Sequence, residues 1–70
     1  MSSYSITRQH AEQVAEKFLR QQFSVIQVER SILEEEDRVW AVEISTLSFN
    51  NQRTIKVKVN AMTGSILGVQ

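Results

Sequence analysis

The chain has 70 residues, 41% hydrophobic, with eight basic side chains against eight acidic ones and neither cysteine nor proline. Such a length holds one domain, residues 1–70, near the lower limit for a core without disulfides or metal, and the charge balance excludes a field that gathers polyanions. Without cysteine there is no disulfide framework, zinc ribbon or thiol nucleophile.

The first element is a helix. Ala11, Val14, Ala15, Phe18 and Leu19 recur at helical spacing and line one face, which predicts a helix over about residues 8–22. Thr7 suits the N-cap, because its hydroxyl accepts from an orphan amide of the first turn, and Ile6 is placed as a hydrophobic staple toward Ala11. Residues 1–5 ahead of this start are expected to form a disordered tail. Gln9, Glu12, Glu16, Lys17 and Arg20 form an ordinary solvated face, with the Glu16 to Arg20 pair worth about 0.3 kcal/mol.

After Phe23 the hydrophobic period changes from helical to alternating, and β-branched residues predict strands over about 25–33, 38–48 and 53–60, with a short fourth at 66–69. If Asn50 and Asn51 form a two-residue turn, Phe49 faces Gln52. Val42 then faces Val59, Ile44 faces Val57 and Trp40 faces Ala61 beneath the helix. On the other side Glu43 faces Lys58, and Ser45 faces Lys56. A three-residue loop of Glu35, Glu36 and Asp37 puts Ile32 opposite Trp40, Val28 opposite Ile44 and Ile26 opposite Thr46. Arg30 then points inward opposite Val42, a misfit relieved either by a bulge or by a stem that carries the guanidinium to water. Leu33 against Val39 and Val25 against Leu47, beside Phe49, are left on the outer face as a candidate interface.

The order of helix and strands, with Trp40-Ala41-Val42-Glu43-Ile44 and the closing run Val57-Lys58-Val59-Asn60-Ala61-Met62-Thr63-Gly64-Ser65-Ile66-Leu67, resembles a PepSY domain over about Ile6 to Leu67. In that family an acidic residue usually stands where this chain has Asn60, whose side-chain oxygen still closes an Asx turn. Thr63 and Gly64 complete a structural turn, Gly64 supplying positive φ. The resemblance implies an α+β, cystatin-like domain of order α-β-β-β-β, one N-terminal helix packed across a three- to four-stranded antiparallel meander. It also implies a non-enzymatic protein-interaction module, in a family found in propeptides of secreted metallopeptidases and given a role in regulating or inhibiting peptidases. It carries no catalytic residues across to this chain, and implies no cofactor.

The remaining candidates for chemistry are weak. His10 is the only histidine and is expected in the exposed first turn, without a coupled partner for acid-base work. No nucleophile elbow, phosphate loop or zincin spacing occurs, so no enzyme is expected. Glu34, Glu35, Glu36 and Asp37 form the densest charge run, read as a solvated hairpin loop in preference to a cation site, which needs more oxygens held at set positions. Arg53, Lys56 and Lys58 are the one basic cluster, but interleaved aromatics for base stacking are missing beyond Tyr4 and Phe49, so nucleic acid is the weaker alternative. Trp40 is read as a core anchor. A homodimer with a structural or small-ligand role, using Val25, Leu33, Val39, Leu47 and Phe49, is the other alternative to a peptidase partner. No run approaches the roughly 20 apolar residues of a membrane span, and no signal peptide is evident, which points to the cytoplasm.

Overall fold

The computed structural model describes residues 6–70; the expected tail and Tyr4 lie outside them. Thr7 starts the helix as read, its hydroxyl accepting from the His10 amide at 3.0 Å. Helix α1 spans Arg8–Leu19 and ends three residues before the expected 22. Both Gln22 and Phe23 donate their amides to the Leu19 carbonyl at 2.9 Å, a tight closure that folds Phe23 back onto the core.

Strands β1 (Val25–Glu34), β2 (Val39–Ser48), β3 (Asn51–Asn60) and β4 (Ile66–Val69) form one antiparallel sheet in the order β1-β2-β3-β4. One helix followed by a four-stranded meander is the α+β arrangement expected from the alternation. Ala11, Ala15 and Leu19 are buried against Trp40, Val42 and Ile44 of β2 and Val57 and Val59 of β3. The two alanines let the helix backbone approach the sheet, and each large aliphatic side chain so buried contributes about 1.5–3 kcal/mol.

Both hairpins correct the expected registers. In the second, Trp40 faces Val59, Val42 faces Val57 and Ile44 faces Ile55, two residues from the expected pairing, while Glu43 faces Lys56 and Ser45 faces Thr54. The turn is therefore Phe49-Asn50, not Asn50-Asn51, with φ of 50° and 67°. A shift by two keeps every face. Both registers make three apolar pairs beneath the helix, but the observed one sets Ile55 against Ile44 and Val59 against Trp40, where the expected one leaves Ile55 against Thr46 and only Ala61 against Trp40, so larger side chains meet.

In the first hairpin Val28 faces Ile44 and Ile26 faces Thr46 as expected, but the register shifts between Val28 and Arg30. This bulge is the first of the two remedies for Arg30, which now faces Glu43 on the outer side. It also turns Leu33 inward opposite Trp40 and Ile32 outward opposite Ala41. The connection lengthens from three to four residues, 35–38, with Glu35, Glu36 and Asp37 at φ of 52°, 57° and 68°.

One end of the sheet is strapped shut. The Ile6 amide donates to the Ala61 carbonyl at 2.6 Å, the Trp40 indole N–H to the Ile6 carbonyl at 3.0 Å, and the Ala61 amide to the Arg38 carbonyl at 2.8 Å. Ten-residue strands reach about 33 Å and a twelve-residue helix about 18 Å, so α1 covers only part of the sheet. The far end of the β2-β3 hairpin projects beyond it, in a molecule 46 Å long and 18 × 17 Å in section.

Candidate protein-interaction surface

The projecting tip is apolar. Phe49 is 97% exposed at the first turn position, where a bulky side chain with positive φ is an outlier. Just behind it Val25 and Leu47 face each other across β1 and β2, 53% and 46% exposed. With Arg20 and Phe23 from the helix exit these residues border an open hollow of about 690 Å³.

The other two residues of the expected interface are elsewhere. Leu33 is turned inward by the bulge and packs on the core. Val39 faces Glu34 on the outer side but is only 5% exposed. The Glu34 carboxylate lies 3.9 Å from the Lys58 ammonium, an ion pair that spans β2 above Val39 and Ala41.

Polar pairs lie beside Ile32, Val39 and Ala41 on the outer face. Arg30 Nε donates to Glu43 Oε1 at 2.9 Å, and the Ser45 hydroxyl to the Glu29 carboxylate at 2.8 Å. The hydrogen bond to Glu43, and then its charge, raise the affinity of the Arg30 guanidinium for its proton. Glu43 thus binds Arg30 and faces Lys56, whereas it was expected to face Lys58. On the covered side the Ser31 hydroxyl donates to Glu12 of the helix, a polar tie between the two layers.

Arg53, Lys56 and Lys58 do not form one basic patch. Alternation places Lys56 and Lys58 on the outer side and Arg53 on the helix side with Ile55 and Val57. Trp40 is 8% exposed and sits in the core as read, with the Arg8 guanidinium 5.7 Å from its ring centroid. His10 is exposed at the start of the helix.

The structural turn after β3 forms from the residues expected. Asn60 Oδ1 accepts from the Met62 and Thr63 amides at 2.7 and 3.2 Å, and the Asn60 carbonyl accepts from the Gly64 amide at 2.7 Å. Thr63 Oγ1 accepts from the Ser65 amide at 3.2 Å. Gly64 has φ of 83° with no atom nearer than 3.9 Å to where a Cβ would sit, so its need is conformational, not steric.

β4 forms over Ile66–Val69, the short fourth strand expected. Sequence reasoning did not place a groove of about 450 Å³ between the helix exit and β3, lined by Phe18, Leu19, Phe23, Arg53 and Ile55 among others.

Among the described residues no three His, Cys, Asp or Glu side chains are grouped to hold a metal, and no helix is long and apolar enough to cross a membrane. The molecule is thus a helix-on-meander scaffold that presents a tip, an edge and a paired polar face. Residues 5–70 match the PepSY family, described as "Peptidase propeptide and YPEB domain", and the chain belongs to that family. The match covers slightly more than the stretch that carried the resemblance. PepSY domains are generally non-catalytic, propeptide-like modules associated with peptidase regulation. No curated protein and no solved structure matches the chain significantly.

Proposed function

We propose that this chain is a non-enzymatic protein-interaction module that restrains a peptidase, and that its contact surface is the β2-β3 tip, centred on Phe49 with Val25 and Leu47. The observation that carries the reading is the conformation and exposure of Phe49 together. A non-glycine residue in the left-handed region costs about 1–2 kcal/mol, and at 97% exposure the ring recovers little of it within the chain. An exposed aromatic side chain at the end of a hairpin suits a cleft on another protein, where burial of the ring supplies the binding energy. Membership of a peptidase-propeptide family supports a peptidase as the owner of that cleft.

The test uses the purified chain against a panel of secreted metallopeptidases, with cleavage of a fluorogenic peptide followed in real time. The wild type slows at least one enzyme, and Phe49→Ala raises the concentration needed by tenfold or more. Unaltered progress curves across the panel, together with a dimer in sedimentation that Leu47→Asp dissolves, replace the reading with the homodimer alternative.

A further inference from the structure

β1 lies between α1 and β2 in the chain and at the margin of the sheet, with no strand of the described residues along its other side. The ladder determines which of its backbone groups turn to that side. The two-residue turn at Phe49-Asn50 makes Ser48 and Asn51 a bonded pair, so the even residues of β2 bond to β3 and the odd ones to β1. Leu47, Ser45, Ala41 and Val39 thus hold Val25, Gln27, Ile32 and Glu34, and the amides and carbonyls of Ile26, Val28, Ser31 and Leu33 turn to the open side.

The bulge gives β1 a symmetry that plain alternation lacks. Ahead of it Val25 and Gln27 face outward while Ile26 and Val28 face the helix side; beyond it Ser31 and Leu33 face the helix side while Ile32 and Glu34 face outward. Between these halves Glu29 and Arg30 both face outward, bonded to Ser45 and Glu43. Exposure follows the same order, with Glu29 and Arg30 both exposed at the centre. Read from either end, the strand presents its faces in the same sequence, whereas ten residues in strict alternation begin on one face and end on the other.

We propose that two copies of this chain join along β1, antiparallel about a two-fold axis perpendicular to the sheet, with Glu29 of each opposite Arg30 of the other. In that register every outward residue meets an outward one: Gln27 opposes Ile32, which is 40% exposed in the single chain. On the helix side Ile26 meets Leu33 and Val28 meets Ser31, the four residues whose backbone groups stand open. Charge favours a second copy over a foreign strand, because the adjacent Glu29 and Arg30 become two cross-strand ion pairs only when β1 meets itself. A slip of one residue sets Glu29 against Glu29 or Arg30 against Arg30 and opposes mismatched faces. Edge bulges commonly discourage pairing, but this one makes the two edges compatible. The contact takes only Val25 from the tip surface and leaves Phe49 free, so it stands or falls separately from the peptidase reading.

Cysteine pairs test the register, because the chain has no cysteine of its own. Positions 27 and 32 oppose each other across the axis but lie about 16 Å apart along one strand, beyond the reach of a disulfide. Under mild oxidation Gln27→Cys mixed with Ile32→Cys is expected to form a crossed dimer at least tenfold faster than either variant links to itself. In sedimentation the wild type passes from monomer to dimer with rising concentration, and Arg30→Glu and Glu29→Arg each raise the dissociation constant at least tenfold. An equimolar mixture of those two charge variants restores both ion pairs and recovers the wild-type affinity. Urea unfolding of the dilute variants separates a failed fold from a failed contact, and the cysteine result decides where a charge variant does not fold. Single cysteines that link as fast as the crossed pair, a charge mixture no tighter than its parts, a dimer that Leu47→Asp dissolves and Arg30→Glu does not, or a wild type still monomeric at about 1 mM overturns the proposal.

Discussion

The two ends of the sheet are built on opposite terms. At the strapped end, Ile6, Arg38, Trp40, Asn60 and Ala61 tie helix entry, loop and turn together, and Gly64 and Asn60 occupy backbone positions that suit them. At the tip end a phenylalanine sits in a turn position that suits glycine or asparagine, and the strands run past the helix. Both ends hold residues at positive φ, Glu35, Glu36 and Asp37 in the strapped end's loop and Phe49 and Asn50 at the tip, but the loop is tied to Ala61 through the Arg38 carbonyl while the Phe49 ring stands exposed. A departure that the chain does not tie down is where surface for a partner is to be sought in a small domain.

The largest effect expected lies between the ends, where both depend on the same core. Ile44 is fully buried beneath the helix and faces both Val28 and Ile55. Ile44→Ala removes about 2–5 kcal/mol, a large share of the stability of so short a chain. Urea unfolding followed by Trp40 fluorescence measures it, and an unchanged midpoint would show that the layers do not pack as described.

At the strapped end Gly64→Ala is expected to cost about 1–2 kcal/mol through backbone conformation alone, since a methyl there meets nothing closer than 3.9 Å. Asn60→Ala removes the acceptor of the Met62 and Thr63 amides and is expected to cost about 1 kcal/mol. Asn60→Asp keeps that acceptor and is expected to leave stability nearly unchanged. If Asn60→Asp unfolds as readily as Asn60→Ala, the turn is not held by the side-chain oxygen.

Faces were legible and distances along the strands were not. Alternation alone assigns Trp40, Val42, Ile44, Val57 and Val59 to one side, and a register error of two residues leaves that assignment intact. Local turn chemistry favours Asn50-Asn51, whereas the chain turns at Phe49-Asn50 and brings Ile55 opposite Ile44 and Val59 opposite Trp40. The bulge was foreseeable from Arg30, which has no place inside. The same one-residue shift moves Leu33 from the outer face expected by alternation onto the core.

Phe49→Asn gives the sharpest contrast between the ends, because stability and binding are expected to move in opposite directions. Asparagine tolerates positive φ, so the variant is expected to gain about 1 kcal/mol in thermal or urea unfolding. It is also expected to lose the peptidase restraint assigned to the wild type. A variant that is more stable and still restrains its partner would leave the tip without a role.

The smallest effect belongs to the outer face, which is well paired and yet marginal in energy. Arg30 is solvent-exposed, so its bond to Glu43 is screened and Arg30→Gln is expected to change the unfolding midpoint little. The pH dependence follows from the sign of the shift. Glu43 raises the folded-state affinity of Arg30 for its proton, so the stabilisation is fully present below the guanidinium's ordinary range and is lost only as pH rises through the raised value. From about pH 6 to 9 the pair therefore adds no slope to stability, and the wild type and Arg30→Gln should give parallel curves. Curves that diverge within that window would assign the pair a buried role and place the outer face with the strapped end as part of what holds the fold.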